Sequence, residues 1–374
     1  MHPFLQQLLQ GQAVEWKTLG EVANLNRGRV MSKTYLADNI GEYPVYSSQT
    51  ANNGEIGKIN TFDFEGEFIT WTTDGANAGT VFYRNEKFSI TNVCGLITLK
   101  YDYLTYKFLF YWLSIQAKKH VYSGMGNPKL MSNQMEKIQI PIPPLSVQSQ
   151  IVQILDTFTE LTAELTAELT AELSMRQKQY QYYRDFLLSE HELAKVGFEW
   201  KSLGELGIIN RGKRVIKNQL TTEGSYPVYQ NSLQPLGYFD KFNVKANTTF
   251  MITAGAAGEI GYSNCAFWSA DDCYYFDCPK DVLDNRFLYH SLKKQQNKIF
   301  SQVRKASIPR LGRNSVENIK IPIPPLSVQS QIVAILDTFD VLTQSISDGL
   351  PKEIQLRQKQ YEYYRELLLG FPMI

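Results

Sequence analysis

One segment occurs twice in this 374-residue chain, and it constrains what the rest can fold into. Ile140–Phe158 reads IPIPPLSVQSQIVQILDTF and returns at Ile321–Phe339 with a single change, Gln153 against Ala334. MRQKQYQYYRDFLL, from Met175, returns as LRQKQYEYYRELLL from Leu356. Both blocks recur at one offset (140 to 321, 175 to 356), so no residue is gained or lost between them.

The prolines at 143 and 144 cannot continue a helix, whereas Ser146 can cap one through its hydroxyl. From there Ile151, Leu155, Phe158, Leu161, Leu165, Leu169 and Leu173 recur every three or four residues, the period of one helix face. Ile332, Leu336, Phe339, Leu342, Ile346, Leu350 and Ile354 repeat that stripe. The spacing predicts two long helices, each able to bury its narrow stripe against the other. Each stripe could instead pack on its own domain, but that would not require copies of equal length. Residues 162–173 repeat Thr-Ala-Glu-Leu, a strongly helix-forming unit, so the first helix should run unbroken. The second carries Gly349 and Pro351, which predict a break there.

The junction after the helix is also duplicated. Phe4-Leu-Gln-Gln-Leu-Leu9 precedes Glu15-Trp-Lys-Thr-Leu-Gly-Glu-Val22, and Phe186-Leu-Leu precedes Glu199-Trp-Lys-Ser-Leu-Gly-Glu-Leu206. Residues 1–14 are therefore expected to complete a circular repeat, with 3–10 near the end of the C-terminal helix. The domain plan is 15–145 and 198–326 for two versions of one globular domain, and 146–197 and 327–374 for the helical regions. Tyr43-Pro-Val-Tyr46 matches Tyr226-Pro-Val-Tyr229, and Asn127-Pro-Lys-Leu130 aligns with Ile308-Pro-Arg-Leu311. Short β-rich runs broken by glycine, with one helix at 103–120 and one at 282–300, indicate a mixed α+β (α/β) class. Strand order does not follow from the sequence.

Hydrophobic residues at 43% and charged residues at 20% fit ordinary globular domains. No apolar run approaches a membrane span, so a cytoplasmic location without membrane contact is expected. Cys94, Cys265, Cys273 and Cys278 lack CxxC spacing and are expected to be free thiols rather than metal ligands. Three patterns with catalytic overtones fail on inspection. Gly207–Lys213 has phosphate-loop spacing, but Arg214 stands where Ser or Thr is required. Tyr122–Gly126 lacks the phenylalanine of a methyl-donor loop, and Glu15-x-Lys17 and Glu199-x-Lys201 lack a nuclease's Pro-Asp partner. His2, His120, His191 and His290 do not cluster in the sequence. No catalytic residue is expected.

Net charge is only +1, so any DNA-binding charge must be local. Arg27, Arg29 and Lys33 lie in an acid-free stretch, matched by Arg211, Lys213, Arg214 and Lys217. A second acid-free stretch carries Arg304, Lys305, Arg310 and Arg313, matched by Lys118, Lys119 and Lys129. Such cations hold phosphates, while amides and hydroxyls in neighbouring loops can address base edges. Ser47, Gln49, Asn52, Asn77, Gln230, Asn231 and Gln234 are the candidates for that second role. A solvated cationic loop is the alternative for each residue.

Two divergent domains, each followed by IPIPPL-x-x-Q-x-x-Ile and a long helix ending in RQKQY-x-YYR, resemble the specificity subunit of type I restriction-modification enzymes. The resemblance covers essentially the whole chain. It implies two target recognition domains, each reading one half of a bipartite DNA site, separated by a pair of long antiparallel coiled-coil-like helices. It further implies partners: two methyltransferase (modification) subunits docked on the helices, and restriction/translocase subunits joined through the complex. S-adenosylmethionine, ATP and Mg would be used by those partners, for adenine-N6 methylation and ATP-dependent cleavage. Arg176, Tyr180, Tyr183, Arg357, Tyr361 and Tyr364 are the expected docking residues, since Tyr and Arg dominate interface energetics. Recognition domains diverge widely in this family, so the DNA-contact residues rest on charge and loop position alone. A structural adaptor that assembles partners without reading DNA is the alternative.

Overall fold

The computed structural model describes residues 2–122, 126–344 and 349–372. They form two compact units, Met1–Thr166 with Leu356–Ile374, and Ala167–Gln355.

The first unit begins with α1 (Pro3–Leu9), then β1 (Glu15–Thr18), α2 (Leu19–Val22), β2 (Ala23–Arg27), α3 (Lys33–Asp38), β3 (Ile40–Tyr46) and β4 (Glu55–Ile59). β5 (Phe64–Thr72), β6 (Val81–Ile90), β7 (Cys94–Leu99), α4 (Tyr106–Gln116), α5 (Ser132–Met135) and β8 (Gln139–Ile142) follow. Six strands make one sheet in the order β2-β7-β5-β6-β3-β4, antiparallel except for β3 beside β6. β8 pairs with β1 in a separate two-stranded ribbon, with Pro141 opposite Trp16. Proline is tolerated there because a two-stranded ribbon leaves one edge of each strand free of ladder bonds. Phe108, Leu109 and Trp112 of α4 are buried with Ile69 and Trp71 of the sheet. Leu5 and Leu9 of α1 join the same core as Leu368, Leu369 and Phe371, so the N-terminal arm and the chain's end share one apolar cluster.

α6 (Leu145–Leu187) is one helix of 43 residues, as the uninterrupted alanine, leucine and glutamate content predicts. It starts one residue earlier than expected. The Pro144 carbonyl accepts the backbone N–H of Val147 and Gln148, so Ser146 lies inside the first turn rather than before it. Gln148 does the anchoring instead. Its amide donates to the Tyr103 and Pro143 carbonyls, and its carbonyl oxygen accepts the Thr105 N–H. Gln329 repeats this in the second unit, on the carbonyls of Val282 and Pro324 and the N–H of Asp284. A buried amide with its donors and acceptor used locks the helix start onto the domain.

The second unit adds α7 (Glu190–Ala194), β9 (Glu199–Ser202), α8 (Leu203–Leu206), β10 (Ile209–Arg211), β11 (Tyr226–Tyr229), β12 (Gly237–Phe239), β13 (Thr248–Ile252), β14 (Ile260–Ser263), β15 (Trp268–Ser269) and β16 (Cys273–Phe276). α9 (Asn285–Lys294), α10 (Gln296–Ser301), α11 (Arg313–Glu317), β17 (Lys320–Ile323) and α12 (Leu326–Gln344) complete it. The strands that match the six-stranded sheet keep its order but in two sheets, β10-β16-β13-β14 and β12-β11-β15, while β17 pairs with β9 as β8 does with β1. The single long strand β6 is replaced by two short ones, β14 pairing with β13 and β15 pairing parallel to β11. Both domains also hold more short helices than the one each that the sequence suggested.

α13 (Leu350–Leu368) closes the chain; α12 is described as far as Gln344, and Gly349 is a non-helical bend directly before α13, so the second helical copy is interrupted at the glycine. The stripes divide their work. Ile151 and Leu155 are buried in the first unit's domain core, and Ile332 and Leu336 in the second's. Beyond them the helices meet. Phe158 packs on Tyr364 in the first unit, and Tyr183 stacks on Phe339 in the second. α6 therefore runs antiparallel to α13 in one and to α12 in the other. Only these later positions depend on the pairing. Ile346 lies outside the described residues.

Candidate nucleic-acid interface

The basic strand ends reach the surface because of a glycine. An added Cβ at Gly28, between Arg27 and Arg29, would sit 1.9 Å from the Ile90 carbonyl oxygen; at Gly212, between Arg211 and Lys213, it would sit 2.0 Å from that of Ala270. Only glycine lets this backbone pass so close to the neighbouring strand while its flanking cations stay exposed.

In the second unit the two cationic stretches converge. Arg211, Arg304, Arg310 and Arg313 line one cleft of about 400 Å³ together with Asp271, Asp272, Tyr274 and Ile308. Arg211 donates to the Asp271 carbonyl (3.1 Å), and Arg313 is ion-paired with Glu317 (2.7 Å). Gln230 reaches the Asp271 carboxylate at 3.5 Å, and the Asn231 carbonyl accepts the Ala256 N–H, which ties the amide loop to the same wall. Gln234 and Lys305 are exposed nearby in sequence, and Lys213 and Arg214 are exposed beyond β10. The side chain of Lys217 lies outside the described residues.

The first unit uses the same backbone plan with different side chains. Arg27 contacts the Met131 sulfur (2.9 Å), and Lys129 faces Asp74 at 3.8 Å, which brings these cations to one edge. Arg29 is already engaged, donating to Asp63 and to the Tyr35 hydroxyl, each at 3.1 Å. Lys33 opens α3, and Lys118 and Lys119 are exposed on the turn after α4. Ser47 accepts from Thr91, the Gln49 amide donates to the Glu55 carbonyl, and Asn77 is exposed in the turn before β6. Asn52 sits at φ 49 and Asn53 at φ 53, a left-handed pair that asparagine tolerates.

Arg84 holds that asparagine turn, and nothing in the sequence marked it. It is fully buried, its guanidinium lies 3.4 Å from the Tyr46 ring centroid, and it donates to the Asn53 carbonyl (2.7 Å) and to Thr70. Burial pulls its pKa below the usual arginine value. Sequence reading also missed Tyr122 and Ile308, large exposed side chains beside the cations, and the acids Asp74, Asp271 and Asp272.

Where each domain meets its helix there is a polar cluster. In the first unit Asp156 accepts Lys107 (2.5 Å) and the Tyr111 hydroxyl (2.7 Å), and Thr159 meets the Tyr361 hydroxyl at 3.0 Å. In the second, Asp337 accepts Arg286 (2.7 Å) and the His290 Nε2 (2.7 Å), and Arg286 also reaches Asp340 (2.6 Å). His290 is buried, and its Nδ1 lies 3.1 Å from the Tyr180 hydroxyl. Burial, reinforced by Arg286, lowers the His290 pKa despite the bond to Asp337. Burial works against the Asp337 charge, yet the bonds from His290 and Arg286 hold its carboxyl below the usual range.

This corrects one expectation about docking. Tyr180 is core, not interface, because its hydroxyl and ring are used by His290 and the apolar cluster around it. Tyr361 is half-buried against Thr159, while Tyr183 and Tyr364 are exposed on one side and packed on phenylalanine on the other. Arg176 is bound to Glu172 (2.6 Å) and Gln179, and Arg357 to Gln360 (3.1 Å). The most exposed tyrosines of the described helical regions are a repeat-matched pair the sequence did not single out, Tyr182 (64%) and Tyr363 (59%).

Comparison with known proteins completes the picture. The family model described as "Type I restriction modification DNA specificity domain" matches twice, over residues 13–175 and 195–356. A protein of Mycoplasma pneumoniae named for type I specificity is 35% identical over 356 residues, covering 93% of this chain and 95% of its own length. A Haemophilus influenzae protein named as a type I restriction enzyme specificity subunit is 37% identical over 391 residues, covering 98% of each. Among solved structures, the S subunit of a type I restriction-modification system from M. genitalium aligns with a TM-score of 0.59 at 19% identity, covering 97% of both chains. The fold is thus shared well beyond close sequence likeness. With two matched domains spanning most of its length, the chain belongs to the type I restriction-modification DNA specificity subunits.

Proposed function

We propose that this chain reads a bipartite duplex site, each recognition domain contacting one half, and leaves chemistry to its partners. The observation that carries the reading is the doubled cationic edge: Arg27 and Lys129 in one unit, and Arg211, Arg304, Arg310 and Arg313 around one cleft in the other. Two such edges on one backbone plan, with divergent side chains, fit two different half-sites. Two methyltransferase subunits dock on the helices, with Tyr182 and Tyr363 as matched anchors. They use S-adenosylmethionine for adenine-N6 methylation, and restriction/translocase subunits bring ATP and Mg chemistry to the complex in the cytoplasm. Tyr182→Ala with Tyr363→Ala should then reduce co-purification of the methyltransferase without lowering the melting temperature.

The helices set the gap between half-sites. Each Thr-Ala-Glu-Leu adds about 6 Å of helix and turns it by about 400°, close to a full turn. Since DNA rises about 3.4 Å per base pair, deleting residues 170–173 should shorten the gap by about one or two pairs and keep both half-site sequences. Removing two residues instead turns the helix by about 200° and should abolish binding. Methylation mapping with the assembled complex reads all of this, and an unchanged gap after the four-residue deletion would sink the ruler. A bare adaptor would yield no preferred site at all.

A further inference from the structure

In the second unit the chain from Arg304 to Arg310 doubles back on itself. The Arg304 N–H donates to the Arg310 carbonyl (2.9 Å) and the Arg310 N–H to the Arg304 carbonyl (3.2 Å). A pair that exchanges both bonds projects its side chains from one face of the ribbon, with Cβ atoms about 5 Å apart. The ribbon is anchored rather than loose. The Leu311 N–H donates to the Thr253 carbonyl (2.8 Å) and the Gly255 N–H to the Pro309 carbonyl (3.1 Å), and Leu311 is buried. Residues 304–310 are all exposed, and Ile308 at the turn is 53% exposed.

Two like charges directly opposed on a ribbon destabilise it, so this pair calls for a ligand. Of the four arginines in the cleft, Arg211 and Arg313 are bonded to protein groups. Among the described residues, Arg304 and Arg310 make no side-chain hydrogen bond or ion pair, so both guanidinium forks are available. A two-stranded ribbon fits the major groove, where the arginine fork matches O6 and N7 of guanine. Phosphate is the competing acceptor. The ribbon's tip argues for bases: apolar Ile308 suits a base edge or thymine methyl, and the cations beside β10 are better placed on a strand end to follow the backbone.

Resting on the DNA-reading function above, we propose that the Arg304–Arg310 ribbon enters the major groove and reads guanine, which makes a G·C pair obligatory in the half-site of the second unit. The first unit lacks the device. Tyr122 and Lys129 hold the same two ribbon positions (2.9 and 3.0 Å), and Lys129 faces Asp74. That ribbon offers no guanidinium, so its half-site carries no such demand from these positions.

The test selects bound sites from duplexes randomised in both halves, using the assembled complex with wild-type, Arg304→Gln or Arg310→Gln specificity subunit. Wild type should fix guanine in one half. A glutamine variant should lose roughly tenfold to a hundredfold of that preference, or shift it toward adenine, leaving the other half and the salt slope unchanged. A 7-deazaguanine at the fixed position should weaken wild type and not the variant. The intact other half reports that the variant is folded. Loss of affinity spread evenly over all sequences, with a shallower salt slope, would make these arginines phosphate contacts and overturn the proposal. So would a half-site without guanine. Absence of any selected site in either half would instead overturn the DNA-reading function itself, and this inference with it.

Discussion

The two helical copies are nearly identical, yet the junctions beneath them are not. The helices present matched groups, Asp156 and Asp337, Tyr361 and Tyr180. The domains answer with Lys107 and Tyr111 in one unit, and with Arg286 and His290 in the other. The second junction is the deeper one, since Arg286 is 15% exposed against 42% for Lys107. It also holds a second acid, Asp340, where the first has Thr159. A fixed set of acceptors on the scaffold therefore accommodates different domains, and the energetic weight of the joint depends on what the domain supplies.

The largest expected effect breaks that joint. Asp337→Ala leaves the buried Arg286 and His290 donors short of an acceptor and, with Asp337 itself partly exposed and Asp340 still on Arg286, should cost about 2 kcal/mol. Asp156→Ala removes a more solvated pair and should cost about 1 kcal/mol or less. Urea unfolding of the two variants, with hydrogen exchange to assign the loss to a unit, checks the difference. Equal losses would mean that burial does not separate the junctions.

The repeat, the helix continuity and the break at Gly349 were legible because they depend on local propensity and period. The strand order was not, because two domains with one topology differ in where a strand is split: β6 continues through the positions at which β14 ends and β15 begins. Cationic stretches were readable as charge, and their meeting in the cleft of the second unit was not, since ribbon pairing such as that of Arg310 with Ala254 and Arg304 is long-range or loop-dependent. Tyr180 misled for a similar reason. A tyrosine in an arginine-rich helix reads as interface, and only the fold brings buried His290 against it. Arg84 gave no signal at all, because its partners are a ring on another strand and a carbonyl in the turn that follows that strand.

The cationic edges should differ next. Arg211→Ala with Arg214→Ala should weaken DNA binding about tenfold or more at moderate salt and lower the logarithmic salt slope by up to about two. Arg27→Ala with Arg29→Ala should lower it by about one, because Arg29 is already neutralised by Asp63 and held by Tyr35. Titrations of the assembled complex at several salt concentrations measure both slopes. Equal slopes would show that Arg29 abandons Asp63 for the DNA backbone.

The smallest effect concerns pH and belongs to the second unit alone. Burial keeps the His290 pKa below its unfolded value of about 6.5, so the unfolded chain takes up this proton first as pH falls. The neutral histidine's contribution is present above about pH 6.5 and is lost progressively below it. The groups around it are Tyr180, Tyr289, Arg286, Asp337 and Asp340. Asp337, also lowered, loses its contribution only below the usual carboxylate range, near pH 4, so the two windows separate. The first unit has Tyr111 at this position; burial raises its pKa, so it does not titrate in acid. Between pH 7 and 5.5 the second unit should therefore lose stability relative to the first. Hydrogen exchange corrected for intrinsic rates resolves the units, and His290→Tyr, the first unit's choice, should remove the difference. If the difference survived that substitution, a group other than His290 would be taking up the proton.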